Sequence, residues 1–287
     1  MNPIEASELI LNKRGAIYHL DLCPGEIADT IITVGDPARV EKVSRLFDAL
    51  HYKGKHREFV THTGRVGQKT ISVVSTGIGT DNIDITLTEL DALFNIDFTT
   101  RTEKKEKTRL KIIRVGTCGS LQADVDCDSF IASTHCIGMD NLMHFYPFRM
   151  NDHELSLLST FKQQVSLLPA LAPYCASADP HLLAQFASHC HAGITVTCPG
   201  FYAPQGRSIR SGLTMPTLNN QLSDFRWSNH RIVNFEMETS ALYALGKLLG
   251  HQCLSLSVIV ANRQARSFSK QPDSSIEKLI QHVLQNV

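Results

Sequence analysis

Between Thr30 and Phe47 the stretch TIITVGDPARVEKVSRLF changes its hydrophobic period. Ile31, Ile32 and Val34 form a short apolar run suited to a buried strand, and Val40 and Val43 recur at helical spacing. Between them lies a sharp corner in which Asp36 is a natural N-cap and Pro37 fits the first helical position. A strand that turns at once into a capped amphipathic helix is the start of an α/β fold. The same alternation returns along the chain. "DNIDITLTELDALFNI" reads as a helix with Ile83, Leu87, Leu90 and Phe94 along one side, and "SSIEKLIQHVL" as a closing helix. "LKIIRVGTCGSL" predicts a buried strand ending in a Gly-rich turn, while "DSFIAST", "AGITVTC" and "CLSLSVIVANR" predict further strands. "REFVTHTGRVGQKTISVVSTG" predicts two strands joined by a glycine turn, which breaks the strict strand–helix repeat of a TIM barrel. The expectation is α/β: a single domain with a mixed central β-sheet flanked by helices. Ligands in such sheets collect at the carboxyl ends of strands. Three turns are candidates there: Gly35–Asp36, Gly77–Gly79 and Gly116–Gly119.

No Pro/Gly/Ser-rich linker and no repeat divides the 287 residues, so one domain is expected over 1–287. Residues 1–16 read as an N-terminal extension, and "TEKKEKT" (102–108) as a solvated charged loop insertion. With 28 basic against 28 acidic residues, the chain lacks the basic bias of a nucleic-acid binder. No apolar run reaches the length of a membrane span, and the opening "MNPIEASELILNKRG" lacks a signal peptide's basic leader and apolar stretch. Eight cysteines without a C-x-x-C pair read as free thiols in a reducing compartment, the cytoplasm. The cluster "HCH" at His189–His191 points its side chains apart and is followed by no H-E-x-x-H, so metal catalysis is not expected.

Four stretches carry the candidate chemistry. In "VGDPAR" the helix N-terminus and Arg39 favour an anion. "IIRVGTCGS" offers Arg114, Gly116 and Thr117, while G-x-G-x-x-G is absent and "GRVGQKT" fails the P-loop spacing. "PGFYAPQGRSIRSG" combines aromatics with Gln205 and Arg207, able to stack a planar ring and bond its edge. In "NFEMETSALYALGKLLGH" the residues Ala241, Leu242, Leu245, Leu248 and Leu249 predict a buried helical stripe, with Glu238 on it. A carboxylate facing a core needs a partner. A salt bridge, a helix start or a pair of sugar hydroxyls would each serve.

"VGDPARVEKV", "HREFVTHTG", "VSTGIG", "IIRVGTCGS", "FYAPQGR", "NFEMETSALYAL" and "VIVANR" occur in the order found in the nucleoside phosphorylases. From about Tyr18 to the last helix, the chain resembles that family, nearest to its uridine phosphorylases. The resemblance implies phosphorolysis: uridine and phosphate give uracil and ribose 1-phosphate. Gly35, Arg39, Arg114 and Thr117 would hold phosphate, joined by Arg57 of "HREF" from a neighbouring subunit. Met237 and Glu238 would hold the ribose, Glu238 on its 2′ and 3′ hydroxyls, with Glu236 on the same edge. His19 of "YHLDL" resembles a histidine that crosses a subunit interface to the 5′ hydroxyl. Phe201 would line the base pocket, Gln205 and Arg207 would read the uracil amide edge, and Arg263 would support it. Arg114, Glu238, Gln205 and Arg207 would carry catalysis.

By the same resemblance the protein would be a homodimer or hexamer using phosphate as co-substrate and no organic cofactor. Some bacterial members place K+ at a dimer interface near positions matching Glu58, Ile78 and Asn82; here "GTDN" stands where the family carries a small, Pro-containing segment. A purine phosphorylase, a nucleosidase and a non-catalytic nucleoside binder are the competing readings. Purine-cleaving relatives carry an acid after the late strand, where this chain has Asn262 and Arg263. A mere binder has no need of a phosphate cradle.

Overall fold

The computed structural model describes residues 3–287. Strand β1 (Thr30–Val34) enters helix α1 (Pro37–Ser44) through Gly35 and Asp36, and the Asp36 carboxylate caps the helix by accepting from the Ala38 N–H at 2.9 Å. Three antiparallel strands follow: β2 (Ala49–His56), β3 (Phe59–Val66) and β4 (Lys69–Ser75). Gly67 closes the β3–β4 hairpin at a φ of 58°, a conformation that favours glycine. Helix α2 (Thr80–Asn95) buries Ile83, Leu87 and Leu90 as its period predicts. The charged segment begins as the second strand of a small ribbon, β5 (Ile96–Asp97) with β6 (Thr102–Glu103), and is exposed over 103–107.

The remaining elements are β7 (Lys111–Ser120), β8 (Phe130–Gly138), α3 (Asp152–Gln164), β9 (Tyr174–Ser177), α4 (Pro180–Phe186) and β10 (His191–Thr197). After them come α5 (Leu218–Asp224), β11 (Arg226–Trp227), β12 (His230–Glu236), α6 (Thr239–Leu249), β13 (Gln252–Asn262), β14 (Ser267–Phe268) and α7 (Pro272–Asn286). The predicted mixed sheet is present, with strand order β11-β12-β10-β8-β13-β7-β1-β4-β3-β2. Strands β4, β1, β7 and β13 run parallel, so their carboxyl ends share one edge.

The sheet also closes on itself, which the sequence did not reveal. Ser120 and Gly119 of β7 pair with Asn234 and Phe235 of β12, completing a ring through β10, β8 and β13. Side chains of β1 alternate between two apolar layers. Ile31 joins the core under α2 and α6, and Ile32 and Val34 join the core under α1, α4 and α7. No helix among the described residues is long and apolar enough to cross a membrane.

Two local expectations are corrected. The Gly116–Gly119 stretch is no turn: β7 continues through it, paired with β13. Glycine is required there by close approach. A Cβ on Gly116 would lie 2.6 Å from the Arg114 guanidinium carbon, and one on Gly119 would lie 2.7 Å from the Phe235 ring. Glu238 is also not on the helical stripe. It precedes the first residue of α6, whose buried part runs from Thr239 to Gly246, while Leu248 is exposed and Leu249 only half-buried.

Candidate active site

A cleft of about 700 Å³ opens where β1, β4 and β7 bring their carboxyl-terminal residues together, a volume suited to a nucleoside-sized ligand. Gly35, Arg39, Arg114 and Thr117 line it together with Met237 and Glu238. Phe201, Gln205 and Arg207 line it as well. The chain thus gathers residues from four distant sequence motifs in one place.

Arg114 rises from β7 into a buried ion-pair cluster, its residue only 5% exposed. Its guanidinium bonds directly to Glu238 Oε2 and lies 3.5 Å from Glu236 Oε2. Burial pulls the Arg114 pKa down, and the two carboxylates more than offset it, so the cation is held charged. Glu238 also accepts from the Gly79 N–H at 2.9 Å, in a turn whose Gly77 and Gly79 adopt φ of 75° and 103°. Of the partners left open by the sequence, the salt bridge is the one made within the chain.

Glu236 lines the cleft beside Met237 and Glu238, with its carboxylate bonded into the protein. Its carboxylate accepts from Thr197 Oγ1 at 2.7 Å, from the Glu238 N–H at 2.9 Å and from the Thr239 N–H at 3.0 and 3.1 Å. Those bonds use its acceptor capacity within the protein and tie down the start of α6, where a negative charge suits the helix dipole. Burial and the neighbouring Glu238 push its pKa up, against the opposing pull of Arg114.

Arg39, half-buried on α1, donates from Nη1 to the Val115 carbonyl at 3.1 Å and makes no ion pair among the described residues. Burial and the nearby Arg114 both lower its pKa. A half-buried guanidinium beside a second one, with no carboxylate of its own, is an environment that an anion relieves.

The loop after β10 carries the other set. Gln205 is only 3% exposed, and its Oε1 accepts from Arg207 Nη1 at 2.6 Å. Arg207 Nη1 also donates to the Phe201 carbonyl at 2.7 Å, and its guanidinium lies 3.8 Å over the Phe201 ring. Burial, then repulsion from Arg263, lowers the Arg207 pKa. Arg263 does not line the cleft; it holds the loop by donating to the Gly206 carbonyl at 3.2 Å. Phe268 of β14, 65% exposed, forms part of the cleft wall, and the sequence reading missed it. Its only signal was one aromatic in an otherwise polar segment.

His19 and Arg57 do not line this cleft. They share an exposed knob: Arg57, at a φ of 54°, donates to the Tyr18 hydroxyl at 3.3 Å, and the His19 carbonyl meets His56 Nδ1 at 2.9 Å. Glu58, Ile78 and Asn82 stand at the cleft wall.

The chain is similar to known proteins over most of its length. The model of the phosphorylase superfamily matches residues 29–286. A protein of Thermococcus kodakarensis named uridine phosphorylase is 29% identical over 258 residues, covering 90% of this chain and 82% of its own. The uridine phosphorylase of Escherichia coli is 25% identical over 274 residues, 92% of this chain and 95% of that one. Among solved structures, a Trypanosoma brucei nucleoside phosphorylase described as showing uridine phosphorylase activity superposes with a TM-score of 0.90 at 30% identity. It covers 97% of this chain and 99% of that one.

Proposed function

This chain belongs to the phosphorylase superfamily, and on that premise we propose that its cleft cleaves uridine with phosphate, giving uracil and ribose 1-phosphate. Relatives named uridine phosphorylase and a solved structure with that activity support the reaction. The observation that carries it is the union in one cleft of Arg39, a guanidinium without a carboxylate partner, with the Gln205–Arg207 pair. The first suits an anion and the second the polar edge of a base. Phosphate-dependent release of free base from a panel of nucleosides tests it: uracil from uridine is expected, and release independent of phosphate would point to a nucleosidase.

No side chain needs to act as nucleophile, because phosphate is one. Arg39, Arg114, the Gly35 N–H and Thr117 orient it toward the anomeric carbon of the ribose. A phosphate oxygen forms the new bond to that carbon as the bond to the base nitrogen breaks, and the electron pair leaves with uracil. Phosphate's charge favours the oxocarbenium-like sugar, while Gln205 and Arg207 stabilise the departing base. Glu238 accepts from the ribose hydroxyls with Met237 against the sugar face. As phosphate engages Arg114, it weakens the cation's hold on Glu238, so the two substrates assist each other's binding.

The reaction uses inorganic phosphate as a substrate and needs no organic cofactor. Of the residues expected to hold K+, Glu58 offers a carboxylate, Ile78 a backbone carbonyl and Asn82 the amide oxygen left free as its Nδ2 points to the Ile78 carbonyl at 3.4 Å, so one chain supplies only part of a K+ shell. The free thiols, most of them buried, accord with the cytoplasm. His19 and Arg57 we assign to the neighbouring subunit's cleft, making the enzyme at least a homodimer. Arg57→Ala and Glu238→Ala homodimers are each expected to be nearly inactive. Mixing them should restore about a quarter of the intact sites, because half of randomly formed dimers are mixed and each holds one complete site. Sedimentation of a fully active monomer would overturn the shared site.

A further inference from the structure

Beneath the exposed knob lies a buried carboxylate that the proposed reaction does not itself use. Glu89 projects from the middle of α2 and is 8% exposed. Both its oxygens accept from the His19 N–H at 3.0 Å, Oε2 accepts from the Leu20 N–H at 2.8 Å, and Oε1 lies 2.6 Å from His19 Nδ1. Two of these partners are backbone N–H groups, so both oxygens must accept. The shortest contact is satisfied when Nδ1 carries the ring proton. That leaves His19 Nε2 as the ring nitrogen open to a ligand, and it has no partner among the described residues. The ring is also steered by neighbours: Phe59 at 6.5 Å and Tyr18 at 4.8 Å, both edge-on, and His56 bonded to the His19 carbonyl.

We infer that Glu89 is a positioning residue: it fixes the tautomer and direction of His19 so that Nε2 accepts the 5′ hydroxyl of a nucleoside bound in a neighbouring subunit. This rests on the reading that His19 serves a partner's cleft. A carboxylate that anchors one imidazole nitrogen orders the other toward its ligand, the logic by which second partners tune histidines. A glutamine at 89 keeps the shape but turns one acceptor into a donor. Its amide then faces either the Leu20 N–H or Nδ1 with the wrong group, and the ring loses its single setting.

The test compares kcat/KM for uridine and for 5′-deoxyuridine, which lacks only the hydroxyl in question. Wild type is expected to prefer uridine by about tenfold. Glu89→Gln should lower that ratio at least about threefold through slower uridine turnover, with 5′-deoxyuridine unchanged as the internal control of folding. His19→Ala should abolish the preference, and adding Glu89→Gln to it should lower the ratio no further. Glu89→Asp, which keeps two acceptor oxygens on a shorter arm, should give an intermediate ratio and serves the same comparison if the glutamine variant does not fold. An equal fall on both substrates, or an unchanged ratio in a folded variant, would make Glu89 a purely structural anchor. If wild type releases uracil equally well from both nucleosides, His19 does not reach the hydroxyl, and this inference fails while the phosphorolysis reading stands. If it releases uracil from neither, the phosphorolysis reading fails and takes this inference with it.

Discussion

Replacing Arg114 with alanine is expected to lower kcat/KM for phosphate-dependent cleavage by at least ~10², and to weaken the fold as well. The guanidinium reaches the cleft from β7 and is bound to Glu238 with Glu236 close by. Losing two charge-assisted hydrogen bonds to phosphate, each about 1.5–3 kcal/mol, corresponds to that rate loss. Removing the cation also leaves two buried carboxylates unmatched, which costs on the order of 3–5 kcal/mol of stability. The Glu236 pKa is already raised in the folded protein, and loss of Arg114 removes the largest influence that pulls it down, leaving the bonds from Thr197 and the Glu238 N–H. A carboxyl with a raised folded pKa binds more protons folded than unfolded. Its unfavourable contribution is therefore absent below the unfolded pKa and grows as pH rises toward the folded pKa. Urea unfolding should accordingly show a smaller deficit for the variant at mildly acidic pH than at neutral pH. Arg114→Lys, which keeps charge but not the forked donor, should largely keep stability and still lose at least about tenfold in kcat/KM. Unchanged phosphate kinetics in a folded variant would make Arg114 a structural ion pair and nothing more.

How much of this was legible in the sequence depended on whether the information was local. The β1–α1 corner was, because Asp36 and Pro37 act within one turn. So were α2, α7 and the β3–β4 hairpin, whose periods and glycine suffice. The Gly116–Gly119 stretch was misread because its strand conformation is imposed by β13 and β12, and its glycines answer to the Arg114 and Phe235 side chains. Strand β12 was hidden for a similar reason. The helical pattern of "EMETSALYAL" draws attention past the short "RIVNFE", whose partners lie far away in β10 and β7. The Glu238 question was posed correctly, since a buried carboxylate needs a partner. Its position was wrong by the one residue that separates a helix from its entry, and Arg114 could not be inferred as its partner from spacing. The cleft residues were named through whole motifs, whereas Phe268 and Glu89, which act through tertiary placement, carried no motif.

Uridine is expected to be cleaved at least ~10² more efficiently than inosine, measured as kcat/KM at saturating phosphate. Uracil presents two carbonyl oxygens flanking an imide N–H. The Gln205 amide can donate from Nε2 to one carbonyl and accept the imide proton on Oε1, which Arg207 already holds in place at 2.6 Å. Arg207 uses Nη1 on Gln205 and Phe201, which leaves the rest of its fork for a carbonyl oxygen. A purine instead leaves readily once its imidazole-ring nitrogen is protonated, and the position after β13 offers no acid. Asn262, the last residue of β13, is turned inward: its Nδ2 donates to the Gln122 and Val125 carbonyls at 2.9 Å, and its Oδ1 accepts from the Gln264 and Ala265 N–H groups. It is not available to a base. A site that leaves buried polar groups unpaired by the wrong ligand discriminates by as much as roughly 10⁴, so the expected ratio is well within reach. Gln205→Ala should lower uridine kcat/KM by about tenfold or more while leaving the KM for phosphate nearly unchanged. If phosphate binding falls in parallel, Gln205 is holding the loop, through the bond its Oε1 accepts from Arg207 at 2.6 Å, and the base must be read by other groups. A uridine-to-inosine ratio below one would show that the Gln205–Arg207 pair does not select the base.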